Sequence, residues 1–428
     1  MKRLADLVKS LEVQLVVCMR CGMCQAVCPL FAETGREADV ARGKLALLDG
    51  LIHEMFKDPE GVAERLSRCL LCGSCAANCP SGVKVLDIFF KARVILTGYM
   101  GLNPVKRAIF RGMLAHPKFF DSLLGSASVL QKIFLVPRDD FSGLSCARFA
   151  IPGLDRSVKA LAPVSFRTSV GRVQTDGASG LKVAFFVGCM IDKIYPEIGH
   201  AVFSALARNG ASLFMPDEQG CCGIPALASG DIDTFRKLVL FNLERFDPNG
   251  FDFLVTACAT CTSTIRKLWP QFAEPFSGAQ KTRINELAEK TLDISQFLID
   301  KANIAEPVSF PGDRTLITYH DPCHLKKSLG VSAQPRALIR SNPAYALKEM
   351  NEADRCCGCG GSFNVQYHPI SASIGKRKCE AIIDSGCQTV ATSCPACMFQ
   401  ISDMLAGAGS NIQVKHAVEI YAEAIAKK

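Results

Sequence analysis

The 428-residue sequence predicts an α+β multidomain chain, in which a helical N-terminal module is followed by two tandem α/β domains. Three observations carry this expectation. Of the 22 cysteines, eight fall between Cys18 and Cys79 in a duplicated pattern, and thirteen fall between Cys189 and Cys397. The second group is itself repeated: Cys189 is matched by Cys323, Cys221-Cys222 by Cys356-Cys357, and Cys258-x-x-Cys261 by Cys394-x-x-Cys397, at an offset of 134–136 residues. Within each repeat, strand-like and helix-like segments alternate, which predicts parallel sheets with their sites at the carboxyl ends of the strands.

With 49% hydrophobic and 21% charged residues the chain has ample material for buried cores, so disorder as the main state is excluded. Asp6, Lys9 and Glu12 interrupt any apolar signal-peptide core at the N-terminus. Apolar runs such as 183–187 and 133–136 fall far short of the ~18–20 residues that span a bilayer. A cytoplasmic protein without a transmembrane segment is expected, peripheral association with the inner face of the membrane remaining open. In that compartment thiols stay reduced and available to metals.

In chain order, Cys18-x-x-Cys21-x-x-Cys24-x-x-x-Cys28-Pro29 comes first and returns as Cys69-x-x-Cys72-x-x-Cys75-x-x-x-Cys79-Pro80. This is the bacterial spacing for paired cubane [4Fe–4S] clusters, in which three close thiolates hold one cluster and the fourth crosses to the other. Cys18, Cys21, Cys24 and Cys79 are therefore assigned to one cubane, and Cys69, Cys72, Cys75 and Cys28 to the second. Gly22 and Gly73 supply the backbone freedom that a tight ligand loop requires. Two four-cysteine zinc sites would need only paired CxxC motifs and leave the third cysteine and the Cys-Pro unexplained. The intervening segments 39–48 and 60–67 read as helices.

A cysteine-poor stretch follows, with Cys146 alone among prolines at 104, 117, 137, 152 and 163. It reads as short helices leading into an irregular Gly- and Ser-containing crossing at 168–180. In the repeats, 182–187 and 316–319 read as strands delivering Cys189 and Cys323, and 196–208 as a helix with Pro196 near its start and Gly210 past its end. Segments 253–258 and 389–394 read as buried strands carrying the CxxC pairs, and 292–300 and 416–426 as closing helices. The expected limits are 1–100 for the helical module, 101–180 for a helical and irregular linker, and 181–310 and 311–428 for the two repeats.

Five cysteines per repeat exceed the four a tetrahedral zinc uses, and adjacent cysteines such as Cys221-Cys222 diverge, so both ligate only a site with more than one metal or a wide ligand sphere, which a polynuclear iron–sulfur cluster satisfies. Of the others, Cys146, Cys359, Cys379 and Cys387 read as structural, with Cys359 notable for lying two residues from Cys357. His320 and His324 bracket Cys323, and with the thiols filling the site they are expected to hydrogen-bond to sulfur rather than ligate.

The pattern C-x(31–39)-C-C-x(35–36)-C-x-x-C resembles the cysteine-rich CCG domain of heterodisulfide reductase subunits and of the iron–sulfur subunits of glycolate and lactate dehydrogenases. Two such domains behind a two-cluster ferredoxin-type module look like the glycolate oxidase iron–sulfur subunit type over nearly the whole chain. The resemblance implies a ligand set of Cys189, Cys221, Cys222, Cys258 and Cys261 at one site, and of Cys323, Cys356, Cys357, Cys394 and Cys397 at the other. It implies one or two further [4Fe–4S] clusters, noncubane in the heterodisulfide reductases, or zinc as in some relatives. No GxGxxG follows a strand, no Walker lysine loop appears and no Ser/His/Asp arrangement stands out, so a hydride acceptor is missing. The resemblance supplies one: a separate FAD-binding 2-hydroxy-acid dehydrogenase subunit that oxidises glycolate or D-lactate and passes electrons through this chain to a quinone or soluble acceptor. The alternatives are a heterodisulfide-reductase-like catalytic subunit that cleaves a disulfide, and an anaerobic glycerol-3-phosphate dehydrogenase iron–sulfur subunit. The formal charge of +8 does not point to nucleic acid, because clusters and their thiolates would bring about −2 to −3 per site and offset it.

Overall fold

The computed structural model describes residues 2–138, 143–149, 156–304 and 313–426. Contacts group the chain into two bodies, one formed by Met1–Ala115, Gly223–Phe235 and Gly358–Gly375, the other by the remaining segments.

In the first body the N-terminal residues are helical. Helix Pro59–Ser67 starts where Asp58 accepts a hydrogen bond from the Gly61 amide at 2.8 Å and Pro59 takes the first helical position, where no amide is needed. Helix Ala41–Ile52 buries Leu45, Leu48 and Leu51, and Val85–Met100 buries Ile88, Phe89 and Ala92. With Leu4, Val8 and Leu66 these form the core, each large side chain contributing roughly 1.5–3 kcal/mol. The segment expected as a helix at 39–48 is a short 3₁₀ turn, Glu37–Asp39, followed by Ala41–Ile52.

Among its described residues the second body holds three sheets. Strands β1 (Leu135–Pro137) and β2 (Ser145–Ala147) form an antiparallel ribbon. The next five, β3 (Val173–Thr175), β4 (Lys182–Phe185), β5 (Ser212–Met215), β6 (Phe253–Thr256) and β7 (Thr291–Asp293), form a sheet in the order β3-β5-β4-β6-β7. The last four, β8 (Thr315–His320), β9 (Tyr345–Leu347), β10 (Thr389–Thr392) and β11 (Gln413–His416), have the order β11-β10-β8-β9. Strands β4 to β7 and β8 to β11 thus share one parallel topology, and β3 adds an antiparallel edge to the first sheet. Helix Pro196–Arg208 forms as expected, with Gly210 at φ +67° just beyond it.

Three local expectations are corrected. Segments 292–300 and 416–426 were expected to be wholly helical, but each opens in a strand, β7 or β11, before helices Ile294–Asp300 and Ala417–Ala426. The stretch after residue 100 contains an 18-residue helix, Pro117–Phe134, because Pro117 occupies its first turn and starts it rather than breaking it. The crossing at 168–180 is partly regular, since helix Phe166–Val170 and β3 lie in or across it.

Candidate metal centres

The duplicated N-terminal motif folds twice into the same backbone. Arg20 and Leu71, each two residues after the first cysteine, hold φ of 56° and 55°, and Gly22 and Gly73 follow at 86° and 73°. Left-handed residues turn successive amides toward one side, which suits a loop closing on anionic sulfur. Accordingly, the Leu71 amide donates to Cys69 Sγ at 3.4 Å, and the Phe31 amide donates to Cys28 Sγ at 3.5 Å. Cys79 lines one small cavity with Cys18, Cys21 and Cys24, where Cys75 also reaches. Cys28 instead faces Cys69 and Cys72, and Cys75 faces Cys69, Cys72 and Cys28. Burial pushes the Cys28 thiol up to about 11 and raises Cys24 and Cys75 as well. Buried thiols with raised pKa do not ionise unaided; a cation that displaces their protons resolves the cost.

In the second body every clustered cysteine lies beyond the carboxyl end of a strand: Cys189 after β4, Cys221 and Cys222 after β5, Cys258 after β6, and Cys323, Cys356, Cys357 and Cys394 after β8, β9 and β10. Helix Cys189–Lys193 is anchored by buried Asp192, which accepts from the Arg167 amide and guanidinium at 2.8 Å and from Lys193 at 3.0 Å. Burial alone would raise the Asp192 pKa, but the Arg167 charge outweighs it and holds the carboxyl below its ordinary range. Asp321 does the same for helix Cys323–Leu329, taking both arms of the Arg336 guanidinium at 2.8 and 2.9 Å.

The sulfurs converge. Cys221 is within hydrogen-bonding reach of Cys189 and Cys222, Cys261 of Cys222 and Cys258, and Cys258 of Cys394. The chain of contacts continues from Cys394 to Cys397, Cys357 and Cys356. All five cysteines of the first set are brought together, and four of the second; Cys323 Sγ lies 3.9 Å from His324 Nδ1. Thiols this close cannot all ionise. Cys221, Cys261 and Cys397 are held protonated, chiefly by hydrogen bonds to neighbouring sulfurs, and the thiolate is favoured at Cys357, through Cys356, and at Cys394, through Cys258. None of the 22 cysteines is in a disulfide. Buried, mutually touching and unoxidised sulfur is the donor set of a thiophilic metal centre, so the residues present fit an iron–sulfur or zinc group. His320 joins Cys357 and Cys397 as a third donor, all three buried. His324 Nδ1 meets Cys323 Sγ at 3.9 Å, the sulfur contact expected of it, and also Thr260 Oγ1 at 3.3 Å.

Residues that the sequence pattern did not single out hold the loops after the paired cysteines. Buried Arg93 donates to the carbonyls of Leu66 at 2.5 Å, Cys69 at 2.8 Å and Ala228 at 2.5 Å. Thr97 Oγ1 donates to Ser229 O at 3.2 Å, and Arg111 pairs with Asp231 at 3.1 Å. From the other loop, Tyr367 hydrogen-bonds Ser67, Ser373 hydrogen-bonds Glu33, and Arg68 lies 5.6 Å over the Tyr367 ring. Beside Asp87 and Lys91 on the same helix, Arg93 reads in sequence as part of its solvated edge, so no local signal marked it.

Residues 14–83 match the model of a 4Fe-4S dicluster domain, and residues 183–266 and 317–402 each match the model of a cysteine-rich domain. The chain is 26% identical over 432 residues to a probable glycolate oxidase iron-sulfur subunit of Bacillus subtilis, covering 97% of this chain and 95% of that one. It is 29% identical to a fumarate reductase (CoM/CoB) subunit of Methanothermobacter marburgensis over 83% of this chain and 72% of that protein. Lactate utilization protein A 1 of Bacillus cereus is 28% identical over 56% of this chain and 98% of its own length.

Proposed function

Because this chain belongs to the family of glycolate oxidase and lactate dehydrogenase iron–sulfur subunits, which join a 4Fe–4S dicluster domain to two tandem cysteine-rich domains, we propose that it is the electron-transfer subunit of a flavin-dependent 2-hydroxy-acid dehydrogenase. The substrate would be glycolate or D-lactate, oxidised on a partner FAD subunit, and the final acceptor a quinone or a soluble carrier. The observation that carries the reading is the crossed gathering of the eight N-terminal cysteines, Cys79 with Cys18, Cys21 and Cys24, and Cys28 with Cys69, Cys72 and Cys75. Two clusters held this way store and pass single electrons, which a two-electron flavin needs on its far side.

The chain's own residues supply ligation, insulation and order. The eight cysteines are proposed as cubane ligands, and the ten of the repeats, Cys189, Cys221, Cys222, Cys258, Cys261, Cys323, Cys356, Cys357, Cys394 and Cys397, as ligands of one or two further centres. Amides of Leu71 and Phe31 donate to ligand sulfur, and hydrogen bonds of this kind raise a cluster's potential. Gly223 and Gly358 continue directly from Cys222 and Cys357 into the loops held by Arg93 and Tyr367 beside the Cys69 loop, giving each repeat a covalent link to the helical module. Among the described residues no helix is long and apolar enough to cross a membrane, which fits an acceptor met at a surface.

The test is anaerobic purification from the native source. A copurifying FAD subunit, with glycolate or D-lactate bleaching the visible iron–sulfur absorbance of this chain, supports the proposal. Dithiol formation from a heterodisulfide without any flavin refutes it. That second reading is favoured by one observation, the contact between Cys258 and Cys394, which sets the two cysteine sets side by side.

A further inference from the structure

The two repeats share a topology, and one position at which they differ is a buried side chain just before the first cysteine. His320 ends β8, pairs with Thr392 of β10, and is 1% exposed. Neither ring nitrogen is matched to a nitrogen or oxygen partner among the described residues, and the sulfur of Cys357 lies within its reach. One of its ring nitrogens lies with Cys357 Sγ and Cys397 Sγ, all three within 4.8 Å of one another. Three residues before the first cysteine of the other repeat, the same position is Phe186, fully buried and packed on Phe246 and Trp269 with ring centroids 5.8 and 6.4 Å away. A benzyl ring offers no donor. A buried imidazole is costly unless its N–H finds an acceptor, so its place against two sulfurs requires a reason.

We infer that His320 is a positioning and tuning residue of the second centre: its ring N–H donates to the sulfur of Cys357 or Cys397 when that centre is loaded, and the first centre, with Phe186, lacks this donor. The inference rests on the reading above that the second set holds an iron–sulfur centre. A neutral imidazole carries one donor nitrogen, and a donor aimed at thiolate sulfur favours the reduced cluster, whose sulfur carries more negative charge. The second centre is then the electron sink of the pair. His320 would then bias transfer between the two centres toward the second.

The experiment is a redox titration of the full, anaerobically loaded chain followed by EPR, with pulsed EPR for weakly coupled nitrogen. His320→Phe, which copies the other repeat, is expected to shift one centre about tenfold toward its oxidised form, equivalent to ~59 mV for one electron, and to abolish one nitrogen coupling. His320→Gln keeps an N–H donor and is expected to recover part of that shift. Phe186→His supplies a variant on the opposite side, expected to raise the potential of the other centre. Unmoved potentials in His320→Phe at full iron and sulfide content, or a nitrogen coupling that persists in it, overturn the inference and leave the electron-transfer reading intact. Zinc in place of iron at the second set in the wild-type chain refutes the reading of that set, and the inference with it.

Discussion

Replacing Arg93 by methionine keeps most of the side chain's volume and removes the guanidinium, so it isolates one buried charge. In the wild-type chain that group donates to three carbonyls, those of Leu66, Cys69 and Ala228, at 2.5–2.8 Å. Arg93 is 9% exposed, so water can replace only part of what is lost. Hydrogen bonds from a charged donor are worth about 1.5–3 kcal/mol each, and orphaned buried carbonyls cost about 1–3 kcal/mol each. The arginine's own desolvation, which lowers its pKa, offsets part of this. A net loss of about 3–5 kcal/mol is expected, a large share of the stability of an ordinary domain. Two measurements check it: urea unfolding of the loaded protein, and iron retained after gel filtration, since the Cys69 carbonyl belongs to a ligand loop. Arg93→Met within about 1 kcal/mol of wild type and fully loaded would refute the claim that this clamp holds the loop.

Gly230 sits at φ +83°, where an added Cβ would lie 2.2 Å from Thr97 Oγ1 and 2.4 Å from Arg93 O; Gly230→Ala is expected to cost about 2–4 kcal/mol in chemical unfolding, and a silent result would contradict this close approach. Cys28→Ser is expected to remove about four iron atoms per chain from the cubane of Cys69, Cys72 and Cys75 and to spare the EPR signal of the other; loss of the other signal instead would show that ligation is not crossed. Burial raises the half-buried Glu419 to about 7, so between its unfolded pKa near 4.5 and pH 7 the unfolded chain ionises while the native chain stays protonated. Stability contributed by this group is therefore present at low pH and falls as pH rises, by about 2 kcal/mol after allowance for partial exposure. Glu419→Gln should flatten the difference between urea midpoints at pH 5 and pH 8, and an unchanged slope would exclude Glu419 as its source.

The cysteine repeats were legible in sequence because ligand spacing is local: a loop must return thiols to one point within a few residues, and the glycines at 22 and 73 mark where it turns. The strands leading to Cys189, Cys258, Cys323 and Cys394 were legible as short apolar runs. Strands β7 and β11 were not, since each runs directly into a helix, Ile294–Asp300 or Ala417–Ala426, with no turn residue between them to mark the change of period. Helix Pro117–Phe134 was hidden by reading its proline as a stop. The attachment of 223–235 and 358–375 to the N-terminal body was invisible for a different reason: it depends on partners more than a hundred residues away, such as Arg93 and Ala228, and no local pattern encodes them.

The proposed exchange of fourth cysteines bears on how such a chain would mature. If Cys79 completes the site of Cys18, Cys21 and Cys24, whose cavity it lines, that site would wait until residue 79 has emerged from the ribosome. With Cys28 turned toward Cys69 and Cys72, the later site in turn draws on the earlier motif. On that ligation neither would be finished alone, loading would be a joint event that follows synthesis of the whole helical module, and a half-charged intermediate would leave anionic sulfur without its cation.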